Sequence, residues 1–166
     1  MSEPFWIENA RKYIGLREIT GPKHNPTIIR WWKDINTSFT TDEVPWCGAF
    51  VGGILVESNL PIVKGSAGAR NWLNLPNKLN NPAVGAVVVF WRGNRNGASG
   101  HVGFVVGRDR YGHIMVLGGN QSDAVNIKPF DTGRILGYRW PSISPKAERF
   151  NLPIYNSDGR PSTNEA

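Results

Sequence analysis

Cys47 is the only cysteine in the chain, and it stands in "VPWCGAFVGGIL", between a Pro-Trp pair and a run of small and apolar residues. A free cysteine often packs as a small buried hydrophobe, so the position has a bland reading beside a chemical one. The chemical reading rests on placement. Pro45 opens a helical stretch and Cys47 follows two residues later, where unpaired N–H groups favour a thiolate; this predicts a lowered pKa and a nucleophile. Such a nucleophile needs a base within hydrogen-bond reach and a third group that fixes the tautomer of the base.

Three histidines could serve. His101 opens the run "HVGFVVGR" directly after "GNRNGASG", at a strand end that could face the helix carrying Cys47, although a strand-end histidine is also at home in water. His113 opens the next run after the turn "RDRYG", so in an antiparallel hairpin it lies at the far end from His101. His24 sits in a loop between Lys23 and Asn25 and reads as a surface residue. The strand that begins near His113 returns through "LGGNQSD" to the level of His101. Asn120 then becomes the orienter, its amide oxygen accepting the imidazole N–H, with Asp123 as the second candidate. Asn120 also suits a plain Gly-Gly-Asn turn.

These residues must be carried by two kinds of element. Phe5, Ile7, Ala10 and Ile14 recur near a helical period up to Gly15; a second helix follows Pro26; a third, with slim glycine faces meant for burial, spans Pro45 to about Ser58; a short fourth spans about Ala67 to Leu73. Five β-rich runs follow, "AVGAVVVFW", "HVGFVVGR", "HIMVLGGN", "AVNIKPF" and "RILGYRW", separated by turn clusters and read as an antiparallel meander. Helices first and strands second is the α+β pattern. One domain is expected over residues 1–140, and residues 141–166, rich in Pro, Ser and Asn, are expected to be an irregular or disordered tail.

Composition narrows the partners. Nineteen Lys plus Arg against thirteen Asp plus Glu give a net charge of +6, which predicts an anionic partner: nucleic acid, membrane surface or cell wall. The cations look scattered along the chain and no nucleic-acid-binding motif accompanies them, so nucleic acid is not expected. One cysteine cannot form an internal disulfide, and no apolar run reads as a leader or a membrane span; the chain is expected to be made as a soluble, leaderless protein. Monomer is the default state.

Taken together and in order, "PWCGAFV", "GHVGFVVG" and "VLGGNQ" resemble the CHAP and NlpC/P60 superfamily of papain-like cell-wall hydrolases, over about Trp6 to Trp140. One departure is Ala86 after Gly85, where such proteins usually carry Gly-Asp. The resemblance implies a papain-like fold with Cys47 as nucleophile, His101 as general base and Asn120 as third member. Some CHAP enzymes use Glu in the third role, and none stands near Gly118 to Asn120. It implies hydrolysis of peptidoglycan amides without metal or organic cofactor, in the periplasm or wall, as a phage endolysin or a delivered antibacterial toxin. Trp46, Trp91 and Trp72 line a substrate groove on this reading and fill the core on the other. Two rival classes are a zinc amidase drawing on His24, His101, His113 and Cys47, and a non-catalytic wall-binding module.

Overall fold

The computed structural model describes residues 3–19 and 23–164. Three helices precede a six-stranded sheet, the α+β arrangement expected. Helix α1 (Phe5–Arg11) buries Trp6, Ile7 and Ala10. Helix α2 (Pro26–Asp34) starts where Asn25 accepts the Thr27 N–H and Pro26 presets the first helical φ, and it buries Ile28, Trp31 and Trp32. Helix α3 (Cys47–Glu57) buries nine of its eleven residues, so it is enclosed on every side rather than amphipathic. It lies between α2 and the sheet. A side chain at Gly53 would overlap the Trp31 indole, and one at Gly48 the Ser66 carbonyl, so the glycines let neighbouring elements close on the helix. The fourth helix winds as a 3₁₀ turn over Ala69–Asn74, with Trp72 buried and its Nε1–H donated to the Ser66 carbonyl at 2.9 Å.

The strands are β1 (Asn77–Leu79), β2 (Val87–Trp91), β3 (Gly100–Arg108), β4 (Ile114–Gly118), β5 (Asn126–Phe130) and β6 (Ile135–Trp140), in spatial order β1-β6-β2-β3-β4-β5, each pair antiparallel. The expected five-strand meander therefore holds only for β2 to β5. After a 3₁₀ turn at Thr132–Arg134 the chain crosses back, and β6 pairs with the other edge of β2, Val87 opposite Arg139 and Val89 opposite Gly137. Burial explains the return. Val87 to Phe90 are fully buried, and a dry strand needs partners for its backbone groups on both edges. The sixth strand, β1, is three residues long and too short to show an alternating pattern.

Residues 141–164 have little regular structure, one 3₁₀ turn at Ala147–Phe150 apart, yet they are tied down along their length. The Val84 N–H donates to the Arg149 carbonyl at 2.7 Å, Arg108 exchanges backbone bonds with Pro153 and Tyr155, and Ser157 Oγ donates to Asp109 Oδ2 at 2.6 Å. Further on, the Ser162 N–H reaches the Pro129 carbonyl on the outer edge of β5 at 2.7 Å.

Gly53→Val should overpack the α2–α3 contact and cost about 1–3 kcal/mol, seen as a lower thermal unfolding midpoint. Gly97→Ala, whose added Cβ meets nothing nearer than 3.4 Å, should stay within about 0.5 kcal/mol of the parent. Equal midpoints for the two variants would contradict this packing.

Candidate active site

Cys47 is the first residue of α3, preceded by Trp46 as an N-cap that makes no side-chain cap bond. The residue is buried, 4% exposed. Burial pushes the thiol pKa up, while the backbone amides of Val102, Gly48 and Cys47 itself, together with the charge of Arg92, pull it part of the way back. The first-turn position alone predicts the opposite direction. The helix-start amides are present, but the cost of an anion in a dry pocket outweighs them. The Val102 amide matters for placement, because it puts the sulfur against β3 one residue from His101.

His101 is fully buried on β3, opposite Phe90 on β2. Its ring stacks on Phe130 with centroids 5.1 Å apart and planes 3° from parallel, and lies 6.3 Å from Phe90. The partner of Nε2 is Gln121 Oε1 at 3.0 Å. The Gln121 amide is itself oriented: Nε2 of Gln121 donates toward the Asn126 carbonyl and Asn126 Oδ1, both at 2.9 Å, and the Val116 carbonyl at 3.3 Å. Asn126 Nδ2 returns a bond to the Gln121 carbonyl at 2.9 Å. With its nitrogen surrounded by acceptors, Gln121 can present only oxygen to the ring, which places the imidazole proton on Nε2 and the lone pair on Nδ1. Nδ1 has no hydrogen-bond partner. Burial, and secondarily the charges of Arg134 and Arg92, push the His101 pKa down to about 4 against the opposing bond from Gln121. The ring is therefore neutral across the physiological range.

The expected contact from Asn120 to this ring is not made. Asn120 adopts a left-handed φ of 60° at the end of the Gly-Gly turn, so the chain needs one more residue and a longer side chain to reach back to His101. The Asn120 carboxamide is buried, and neither its nitrogen nor its oxygen has a partner. Asp123 is exposed and lies beside Glu18 rather than the ring. Nothing in the residue pattern separates Gln121 from its neighbour, since the strand-reach argument is good only to about one position.

Trp46 is also corrected: it lines no groove. It is fully buried, stacks on Trp31 at 6.1 Å, and donates Nε1–H to Glu18 at 2.8 Å. Trp72 is core as well. Trp91 is half-buried beside the site, with an indole N–H that has no partner. The three histidines do not converge: His24 pairs with Asp42 at 2.9 Å and His113 with Asp109 at 2.8 Å, each away from His101. Among the described residues no group of three or more His, Cys, Asp or Glu is placed to hold a metal.

Arg134 closes the ring stack. Its guanidinium lies 6.0 Å from Phe90 and 5.9 Å from Phe130, held by bonds to the Trp91 carbonyl at 3.1 Å and the Ser162 carbonyl at 3.2 Å. The arrangement thus joins a buried thiol, a neutral imidazole with a fixed tautomer and a free Nδ1 lone pair, which is the equipment for general-base activation of sulfur. Residues 39–120, which hold Cys47, His101 and Asn120, match the family model of the CHAP domain. No curated protein matches the chain.

The low His101 pKa carries a stability signature. An unfolded chain takes up the proton through about 6.5, the folded one only near 4, so this contribution is complete above about 6.5 and is lost as pH falls toward 4. His101→Phe should therefore lose less stability than the parent between neutral and mildly acidic pH in urea unfolding. Parallel losses in the two proteins would contradict a neutral buried ring.

Proposed function

Because the chain carries a CHAP domain, which implies peptidoglycan hydrolysis of the amidase or peptidase type, we propose that Cys47 is the nucleophile, His101 the general base and Gln121 the residue that holds the base. The observation that carries the assignment is the Gln121 clamp, which leaves Nδ1 as the basic nitrogen of a histidine adjacent to the residue whose amide meets the sulfur.

The resting pair is a neutral thiol and a neutral imidazole, so the proton moves as the bond forms. Nδ1 takes the thiol proton while sulfur attacks the amide carbonyl, and the Cys47 N–H at the helix start is positioned to meet the developing oxyanion. Collapse breaks the C–N bond, and Nδ1–H gives its proton to the departing amine, leaving a thioester. Water, deprotonated by Nδ1, attacks the thioester; the acid departs and the thiol is restored. Asn120, whose buried carboxamide is unpaired, stands in the same loop with no hydrogen-bonding role of its own. The setting we propose is that of a phage endolysin, made in the bacterial cytoplasm and acting on the wall, where a net charge of +6 favours contact with anionic polymer.

Turbidity loss of purified peptidoglycan tests the assignment. Cys47→Ala and His101→Ala should each lower the rate by about 10³-fold or more, and Gln121→Ala by about 10²- to 10⁴-fold, the range for loss of a tautomer-fixing partner. Clearing by Cys47→Ala at the parent rate would overturn it. Mass analysis of the fragments assigns the bond, either the link to muramic acid or one within the peptides. In the absence of substrate, iodoacetamide should alkylate Cys47 more slowly than a free thiol at neutral pH, because burial disfavours the thiolate.

A further inference from the structure

Residues 160–164 form no helix or strand, yet three backbone bonds from this stretch fall beside the groups that control the His101 ring. The Ser162 N–H donates to the Pro129 carbonyl at 2.7 Å, and Pro129 precedes Phe130, the ring on which His101 stacks. The Ser162 carbonyl accepts from Arg134 Nη1 at 3.2 Å, and the same guanidinium lies against Phe90 and Phe130. The Asn164 carbonyl accepts from the Ser122 N–H at 2.7 Å, and Ser122 follows Gln121, whose oxygen fixes the imidazole tautomer. A stretch of three residues thus reaches the stack, the cation over it and the clamp.

The clamp needs such support. Within residues 120–123, three non-glycine residues hold left-handed φ angles, Asn120 at 60°, Ser122 at 53° and Asp123 at 62°, a conformation that persists only where the surroundings impose it. Here the surroundings come from two distant parts of the chain. Arg17 Nη2 donates to the Ser122 carbonyl at 3.4 Å and the Glu18 N–H to the Asp123 carbonyl at 3.1 Å, while Asn164 holds the Ser122 N–H. The stretch that contains Ser162 is not itself packed down: an open hollow of about 340 Å³ lies between it and Met115, Ile127 and Lys128. Polar contacts, rather than buried apolar area, set its position. It therefore adds little to global stability, and its effect falls on the groups that it touches.

We propose that residues 162–164 are a positioning strap for the base, holding Gln121 on Nε2 and the ring against Phe130 so that Nδ1 stays bare and ready for the thiol proton. This deepens the hydrolase reading of the site and rests on it. Without the strap, Ser122 and Arg134 each lose a partner, the clamp shifts, and water reaches a ring that is now dry. The charged and titratable groups facing the ring are Cys47 from α3, Arg92 just after β2 and Arg134 just before β6. Both cations disfavour a proton on the ring, so a gain in its proton affinity would report hydration.

The test uses the full chain and amine release from solubilised peptidoglycan. Ser162→Pro removes the N–H that meets Pro129, Ser162→Ala keeps both backbone groups, and Arg134→Lys keeps the charge but exchanges the planar fork for a single nitrogen. Ser162→Pro and Arg134→Lys should each lower kcat about 5- to 50-fold with KM within about two-fold, and Ser162→Ala should restore the parent rate. In both slow variants the acidic limb of the kcat/KM profile should move up by about one pH unit. Without substrate, imidazole ¹⁵N spectra should show one protonated nitrogen on His101 in the parent, and tautomer exchange with easier protonation in the two variants. Parent values in both variants overturn the strap. So does a fall in rate that follows a lower unfolding midpoint while the acidic limb and the ¹⁵N shifts stay with the parent. A parent that releases no amine overturns the hydrolase reading, and the strap then stands or falls on the ¹⁵N spectra.

Discussion

Packing α3 against β3 takes the Cys47 sulfur and the His101 ring out of water together, and desolvation then decides which protonation states the site starts from. Both groups are driven toward neutrality, the thiol by a raised pKa and the ring by a lowered one. Neither outcome follows from residue type. A cysteine in a first helical turn and a histidine with two arginines in range would hold other states at a wetter surface, and the helix-start amides that favour a thiolate are present here without prevailing. The neighbouring features make sense as supports for a dry pair: an aromatic stack on one side of the ring, a clamped carboxamide at one of its nitrogens, and a helix whose glycines allow the close approach.

A dry, neutral pair places demands on the rest of the site. On the proposed reaction no stored ion pair supplies a ready nucleophile, so charge would develop during attack, where preorganised donors act most strongly because little water competes with them. Gln121 contributes by removing freedom rather than by adding charge. Its nitrogen is committed to Asn126 and Val116, and a neutral oxygen in the third position stabilises an imidazolium less than a carboxylate would. Arg92 offsets part of this by favouring negative charge on the sulfur.

Much of this was readable from residues alone, and the failures share a cause. The α+β order, the burial of α3 and the separation of His101 from His113 follow from periodicity and turn positions, which are local. What failed depended on contacts across the fold. The return of β6 to β2 answers the need of a buried strand for a second partner, and no local pattern announces it. The choice between Asn120 and Gln121 turns on one left-handed residue. Trp46 is core because Trp31 and Glu18 happen to meet it, although the same residue at the same helix start would suit a groove.

The sheet's two outer margins are treated differently from its middle. One belongs to β1, only three residues long; the other belongs to β5, where Pro129 lacks an N–H, Lys128 puts a charge on the strand, and the Ser162 amide already occupies the Pro129 carbonyl. Neither margin offers a second copy the open row of donors and acceptors on which intermolecular ladders nucleate, so crowding many copies onto one polymer should not promote fibre-like association.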